Sequence, residues 1–382
     1  MRVGFFVGQI QSEELGGGHV FQVSIIEALV RARCSHELYV YYSCDKDLFE
    51  NTENIKFINI ESEDNLIFKK KYKMLNDLAL KNKIGLMYFL TIGSESVEMP
   101  YIATVWDLAH RVHPYFPEVS TSGWTFESRE KNYSKFLPAA SRIVVGNEAG
   151  VNQICRYYNV DAGKIKTIPM PTPDYVYSLR PDDSILKKHN LEPQKYLFYP
   201  AQFWPHKNHI RLLKAAKTLK EQAFKIVFTG SDRGNMRYIR QKTEEFELQD
   251  TVLFLGFVSK EELIALYKNA FALAFTSLFG PDNIPPLEAM ALRCPVIYPE
   301  IEGAHEQLRD CALYFNPYCV NDLIEQVEKL KITALREELI SKAETLAREY
   351  HVDNYVKEIF NLLDEFALIR ECWCSSEKYI DL

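Results

Sequence analysis

The sequence predicts an α/β protein built as two doubly wound, mostly parallel sheets, and three observations point there. Short runs rich in Val, Ile, Phe and Tyr alternate with longer segments of helical periodicity. Most of these runs are continuously apolar, as strands buried on both faces of a parallel sheet are. The alternation occurs twice, with a proline-rich stretch between the two series.

The first series places strands at Val3–Val7, Leu38–Tyr42, Lys56–Ile60, Leu86–Leu90, Ile102–Val105 and Ile143–Gly146. The second places them at Tyr196–Tyr199, Ile226–Thr229, Val252–Leu255, Ala272–Phe275 and Pro295–Tyr298. Helical stretches such as His19–Ala32, Arg211–Gln222, Lys260–Lys268 and Pro286–Leu292 lie between them. A long helical pattern runs from Ile332 to Ile369, with a break expected at His351 and Val352. Pro169–Asp183 (PMPTPDYVYSLRPDD) reads as an interdomain linker. The expected division is a first Rossmann-like domain over 1–174, a second over 190–345, and a terminal helix and tail over 346–382. Two such sheets face a ligand cleft with the C-terminal ends of their strands.

Composition narrows the partners. The chain has 382 residues, 47% of them hydrophobic, enough for two sizeable cores. A formal charge of -7 offers no basic surplus for a nucleic-acid partner. The 8 cysteines are scattered without zinc-ribbon spacing, which suits reduced thiols in the cytoplasm. The opening MRVGFFVGQI is too short and too soon broken for a signal peptide, and no apolar run approaches the roughly 20 residues of a membrane span.

Four constellations fall at strand-to-helix junctions. Gly16-Gly17-Gly18 follows the first strand and precedes a helix, so its amides can approach an anion, although it is not a GxGxxG dinucleotide fingerprint. Thr104–Glu118 crowds Asp107, His110, Arg111 and His113 behind a strand. Tyr199–Leu213 puts Lys207 at a helix start, where an ammonium and a helix N-terminus suit a diphosphate. Thr276–Ile297 carries a Gly-Pro-Asp-Asn turn into a helix whose first turn holds Glu288, an acceptor for a ribose diol or a partner of the helix dipole.

Taken in order, these motifs resemble glycosyltransferase family four, of GT-B fold. The likeness is strongest over Tyr196–Pro317, through KIVFTGSD, VLFLGFVSKEELIALYKNA, NIPPLEAMALRCPVI and EQLRDCALYFNP. It implies that Lys207 binds the donor diphosphate, that Glu288 binds the ribose, and that Phe257 and Val258 line the base pocket. It puts His110 beside the sugar at the reaction centre and returns the terminal helix, Val352–Leu368, to the first domain. Two positions depart from the pattern: Ala201, with Gln202 beside it, stands for a common Arg, and Gly280 stands for a common Glu. Asp282 and Asn283 are the candidates to replace that Glu against the sugar, the alternative being that the loop backbone alone holds the sugar hydroxyls.

The resemblance further implies sugar transfer from a nucleotide-sugar, with retained anomeric configuration and without a metal or other cofactor. Lys207, the backbone amides of the turn Asn283–Leu287, which runs through Ile284 and Pro285, and those of Gly16–Gly18 would stabilise the leaving diphosphate, with Gly17, Gly18 and Gln202 counted among the donor-binding residues. A front-face displacement follows, with the leaving phosphate taking the acceptor proton. GDP-mannose, a UDP-hexose and dTDP-rhamnose stay open as donors, and a glycan or lipid-linked acceptor in bacterial surface-polysaccharide synthesis is expected. A nucleotide-sugar epimerase, a sugar phosphorylase and a non-catalytic partner subunit are the competing readings. Phe68, Tyr72, Leu75 and Ala79 share a helix face beside Lys69, Lys70, Lys71 and Lys73, and this basic cluster suggests peripheral contact with the inner face of an anionic membrane.

Overall fold

The computed structural model describes residues 1–10, 16–44, 49–60, 69–91, 97–120, 126–370 and 372. Its first sheet has seven parallel strands: β1 (Arg2–Gln9), β2 (Glu37–Ser43), β3 (Ile55–Asn59), β4 (Leu86–Phe89), β5 (Tyr101–Thr104), β6 (Arg142–Val145) and β7 (Ile165–Thr167). They run in the order β3-β2-β1-β4-β5-β6-β7. The second sheet has six: β8 (Tyr196–Pro200), β9 (Lys225–Thr229), β10 (Val252–Phe254), β11 (Ala272–Ala274), β12 (Val296–Pro299) and β13 (Ala312–Phe315). Their order is β10-β9-β8-β11-β12-β13, again parallel throughout. Both orders reverse direction once, at β1/β4 and at β8/β11, and crevices open outside the strand ends at such points.

The strand interiors explain the unbroken apolar runs. Val3, Phe5 and Val7 of β1, and Leu197, Phe198 and Tyr199 of β8, are all fully buried. Buried tyrosines keep their hydroxyls satisfied, as Tyr196 does by donating to the Leu266 carbonyl at 2.6 Å. Two strands were not expected from the sequence. β7 and β13 are the strands at one end of each sheet, and neither is buried along its whole length.

The chain crosses between the domains twice. Thr172 donates its N–H to the Tyr350 carbonyl at 2.7 Å, so the two crossings lie side by side. The expected linker contains a short helix, Tyr175–Ser178, whose Val176 packs in the second core. The long helical pattern divides into Thr333–Glu349 and Val352–Arg370. The latter buries Val352, Tyr355, Val356, Ile359, Leu362 and Leu363 against the first sheet, and Tyr355 meets Phe21 edge-on at 5.6 Å.

The basic helix of the expected membrane face spans Lys69–Lys81. Phe68 lies outside the described residues, and of that face Leu75 and Ala79 are buried in the first core. No helix among the described residues is long and apolar enough to cross a membrane.

Candidate functional site

A cleft of about 480 Å³ lies between the two sheets at both switch points. Gly16, Gly17 and Gly18 enter it from the loop after β1. Gly17 begins the helix Gly17–Arg31, so its N–H and that of Gly18 have no acceptor within the helix. An added Cβ on Gly17 would touch Ile284 of the second domain at 3.5 Å, and one on Gly16 would press Gln202 at 3.2 Å. The glycine turn therefore lies directly against the opposite wall.

That wall comes from the turns after β8 and β11. The chain leaving β8 carries Ala201 and Gln202, then a tight turn at Pro205–Lys207, then the helix His209–Leu219. The Lys207 ammonium lies 3.2 Å from Asn283 Oδ1 and 5.1 Å from the centre of the Phe275 ring. Burial pulls its pKa down to about 8, while Asp107 and Glu118 act the other way.

Asn283 stands at the N-cap position of the helix Ile284–Ala291, where its side chain bonds the surroundings rather than the helix amides. Its Nδ2 donates to the Tyr298 hydroxyl at 2.7 Å and to the Gly280 carbonyl at 2.8 Å. Gln307 clamps its backbone, accepting from the N–H at 3.2 Å and donating to the carbonyl at 2.8 Å. Gly280 has φ of 116°, and the Asn283 amide fills the space of a Cβ at 3.1 Å. A glutamate at 280 would meet both obstacles, which is a physical reason for glycine there.

Asp282 projects across the cleft onto the backbone of Gly146, just after β6. A Cβ on Gly146 would fall 2.0 Å from Asp282 Oδ2, so the approach requires glycine. Burial raises the Asp282 pKa to about 7; nearby Glu306 adds to this and a hydrogen bond from Asn147 opposes it. Asn147 also donates to the Pro281 carbonyl at 3.0 Å, and Gln153 to Glu302 Oε2 at 2.8 Å, so this edge of the cleft is closed by contacts between the domains.

The structure brings together Gly17, Gly18, Gln202, Lys207, Phe257, Val258, Asp282, Asn283, Ile284 and Pro285, all of which line this cleft. Three expected residues stand elsewhere. His110 is completely buried, with Nε2 3.0 Å from the Tyr158 hydroxyl and 3.4 Å from Glu130 Oε2. Burial, helped by Arg129, lowers its pKa to about 4, so the ring is neutral, and it does not line the cleft. Leu287 is buried in the second core. Glu288 is buried too, not an exposed acceptor: it takes hydrogen bonds from the hydroxyls of Tyr175 at 2.6 Å and Tyr267 at 2.7 Å. Its pKa is raised by burial, against the pull of those two hydroxyls.

Other residues take the vacated places. Trp106 and Asp107, from the turn before His110, line the cleft. Burial alone would raise the Asp107 pKa, but the Arg129 guanidinium 2.9 Å away holds it below its usual value. Sequence reasoning also did not find the Glu118–His206 pair, a hydrogen-bonded contact between the domains in which both side chains are buried. Nothing in the spacing of two residues 88 apart signals such a pairing. No group of three or more His, Cys, Asp or Glu side chains suited to a metal occurs among the described residues.

Comparison with known proteins agrees with this architecture. Residues 182–346 match the family model described as glycosyl transferases group 1. An O-antigen chain mannosyltransferase, RfbU of Salmonella typhimurium, is 33% identical over 244 residues, 62% of this chain and 64% of that protein. The chain thus spans less than two thirds of that relative's length. Among solved structures, sucrose-phosphate synthase from Thermosynechococcus elongatus superposes with a TM-score of 0.76 at 17% identity, over 96% of this chain and 99% of its own. Anabaena HepE in complex with UDP-glucose gives 0.71 at 16% identity, over 96% and 100%. The match to the group 1 glycosyl transferase model falls on the second domain, and the chain as a whole carries the GT-B fold.

Proposed function

We propose that the chain transfers a hexose, with mannose the first candidate, from a nucleotide-sugar to a glycan during surface-polysaccharide assembly. The observation that carries this is the meeting of Lys207, the N-terminus of the helix Ile284–Ala291 and the Gly16–Gly18 turn around one cleft of about 480 Å³. An ammonium, a helix N-terminus and free amides are a set suited to a diphosphate. The exposed Phe257 and neighbouring Val258 stand at the same cleft, where they suit contact with the flat face of a nucleobase. The likeness to an O-antigen mannosyltransferase supports mannose and a polysaccharide product.

In this reading the leaving diphosphate gathers negative charge against Lys207 and the surrounding N–H groups, which are fixed before reaction. Asn283 holds the ammonium in place. The departing phosphate oxygen removes the proton of the acceptor hydroxyl on the same face of the sugar, so configuration is retained. Lys207 and the amides serve the role a divalent ion would otherwise serve. A transfer assay with GDP-mannose, UDP-glucose and dTDP-rhamnose, with and without EDTA, tests this, with the anomer read by NMR. Product formation in EDTA with the donor's configuration kept supports it. An inverted product, or activity lost to EDTA and restored by manganese, contradicts it.

A further inference from the structure

A second cavity, of about 240 Å³, opens between the domains beside the nucleotide cleft. Its size falls below the roughly 300–1,000 Å³ of pockets for drug-sized ligands and suits one sugar ring. Asp107 lines both cavities. A column of rings also joins them. His113 stacks on Phe279 at 5.1 Å, and Phe279 stacks on His206 at 4.2 Å; the first two line the small cavity and His206 the large one.

The two cavities differ in charge. The large one presents Lys207 and helix amides beside Asp107 and Asp282. The small one is lined by Asp107, Glu300 and Glu302 and by no Lys or Arg among the described residues. Tyr318, 65% exposed, stands at its rim. Carboxylates accept hydrogen bonds from sugar hydroxyls, and an exposed aromatic face offers apolar contact to a pyranose ring. The same carboxylates repel a phosphate.

Resting on the transfer reading above, we infer that this cavity receives the acceptor as a neutral pyranose, the non-reducing end of a glycan, rather than a sugar phosphate or the first sugar of a lipid diphosphate. Its ring lies against Tyr318 and its hydroxyls meet Glu300 and Glu302. One hydroxyl then reaches the Asp107 boundary, where the donor sugar is held on the other side.

The test uses the full chain loaded with GDP, UDP or dTDP, whichever binds. Methyl α-D-mannopyranoside, methyl α-D-glucopyranoside, methyl α-L-rhamnopyranoside and mannose 1-phosphate are titrated by saturation-transfer NMR. Tyr318→Ala and Glu300→Gln serve as variants, both at sites open to solvent. The expected result is that a neutral glycoside binds without displacing the nucleotide, and that each variant weakens it by about tenfold. Mannose 1-phosphate should bind more weakly than its neutral counterpart. If no glycoside binds, if both variants bind it as the wild type does, or if the phosphate binds as tightly, the inference is overturned. The nucleotide titration in the same samples separates the two failures: a protein that takes up no nucleotide contradicts the transfer reading itself.

Discussion

The Lys207 ammonium points at Asn283 Oδ1 from 3.2 Å, and the Asn283 amide is tied in turn to Tyr298 and Gly280. Among the described residues, the one Lys or Arg lining this cleft is thereby aimed by a residue at the N-cap position of a helix. A positioned charge of this kind gains its effect from being fixed before the diphosphate arrives.

Lys207→Ala is expected to lower kcat/KM by about 10²–10³-fold, the loss typical of one removed charge-stabilising donor. Its melting temperature should stay near that of the wild type. Because burial brings the Lys207 pKa to about 8, its charge is lost as pH rises through that value. Nucleoside diphosphate affinity should therefore fall between pH 7 and 9, and Lys207→Arg should flatten that profile. Calorimetry at a series of pH values reads both effects.

Asp282 gives a stability signature of its own. Its folded pKa is about 7 against a reference of 3.8, so the folded chain holds this proton more tightly than the unfolded one. The stability it contributes is full below about 4 and is lost as pH rises through about 7. Asp282→Asn cannot ionise, so its melting temperature relative to wild type should improve from pH 5 to pH 8. A constant difference would show that Asp282 is ionised in the fold.

Gly146→Ala puts a methyl group where Asp282 Oδ2 stands. We expect the contact between the domains to open, with a loss of about 1–3 kcal/mol from overpacking. Transfer should fall with it. The double variant Gly146→Ala with Asp282→Ala should recover much of the lost stability, as measured by urea unfolding. No recovery would place the strain elsewhere.

Glu288→Ala should act first on stability, since it leaves the buried Tyr175 hydroxyl without its acceptor, at a cost of about 1–3 kcal/mol. Nucleotide affinity at a temperature where the variant is fully folded should change less than twofold, an outcome of order 0.4 kcal/mol or below. A tenfold loss there would return Glu288 to the binding surface.

Much of this was legible in the sequence because parallel strands buried on both faces write themselves as apolar runs. The two-sheet α/β class follows from them, and Gly16–Gly18, Lys207 and the turn at 280–283 mark the strand ends where a crevice forms. What the sequence hid was orientation. His110 and Glu288 lie one helical turn or less from cleft residues, yet both side chains turn inward to tyrosines. Asp107 was visible only as one of four polar groups behind β5, and its pairing with Arg129 across 22 residues left no local mark. Phe279, between His113 and His206, reads in sequence as ordinary core.

The central claim is that a nucleoside diphosphate is held in the cleft against Lys207. Calorimetric titration of GDP, UDP and dTDP into the wild type and Lys207→Ala at pH 7 tests it most directly. The account predicts saturable one-site binding of at least one nucleotide to the wild type, weakened at least tenfold in the variant, a difference of about 1.4 kcal/mol or more. Equal affinity in the two proteins, or no nucleotide bound by the wild type, would contradict it.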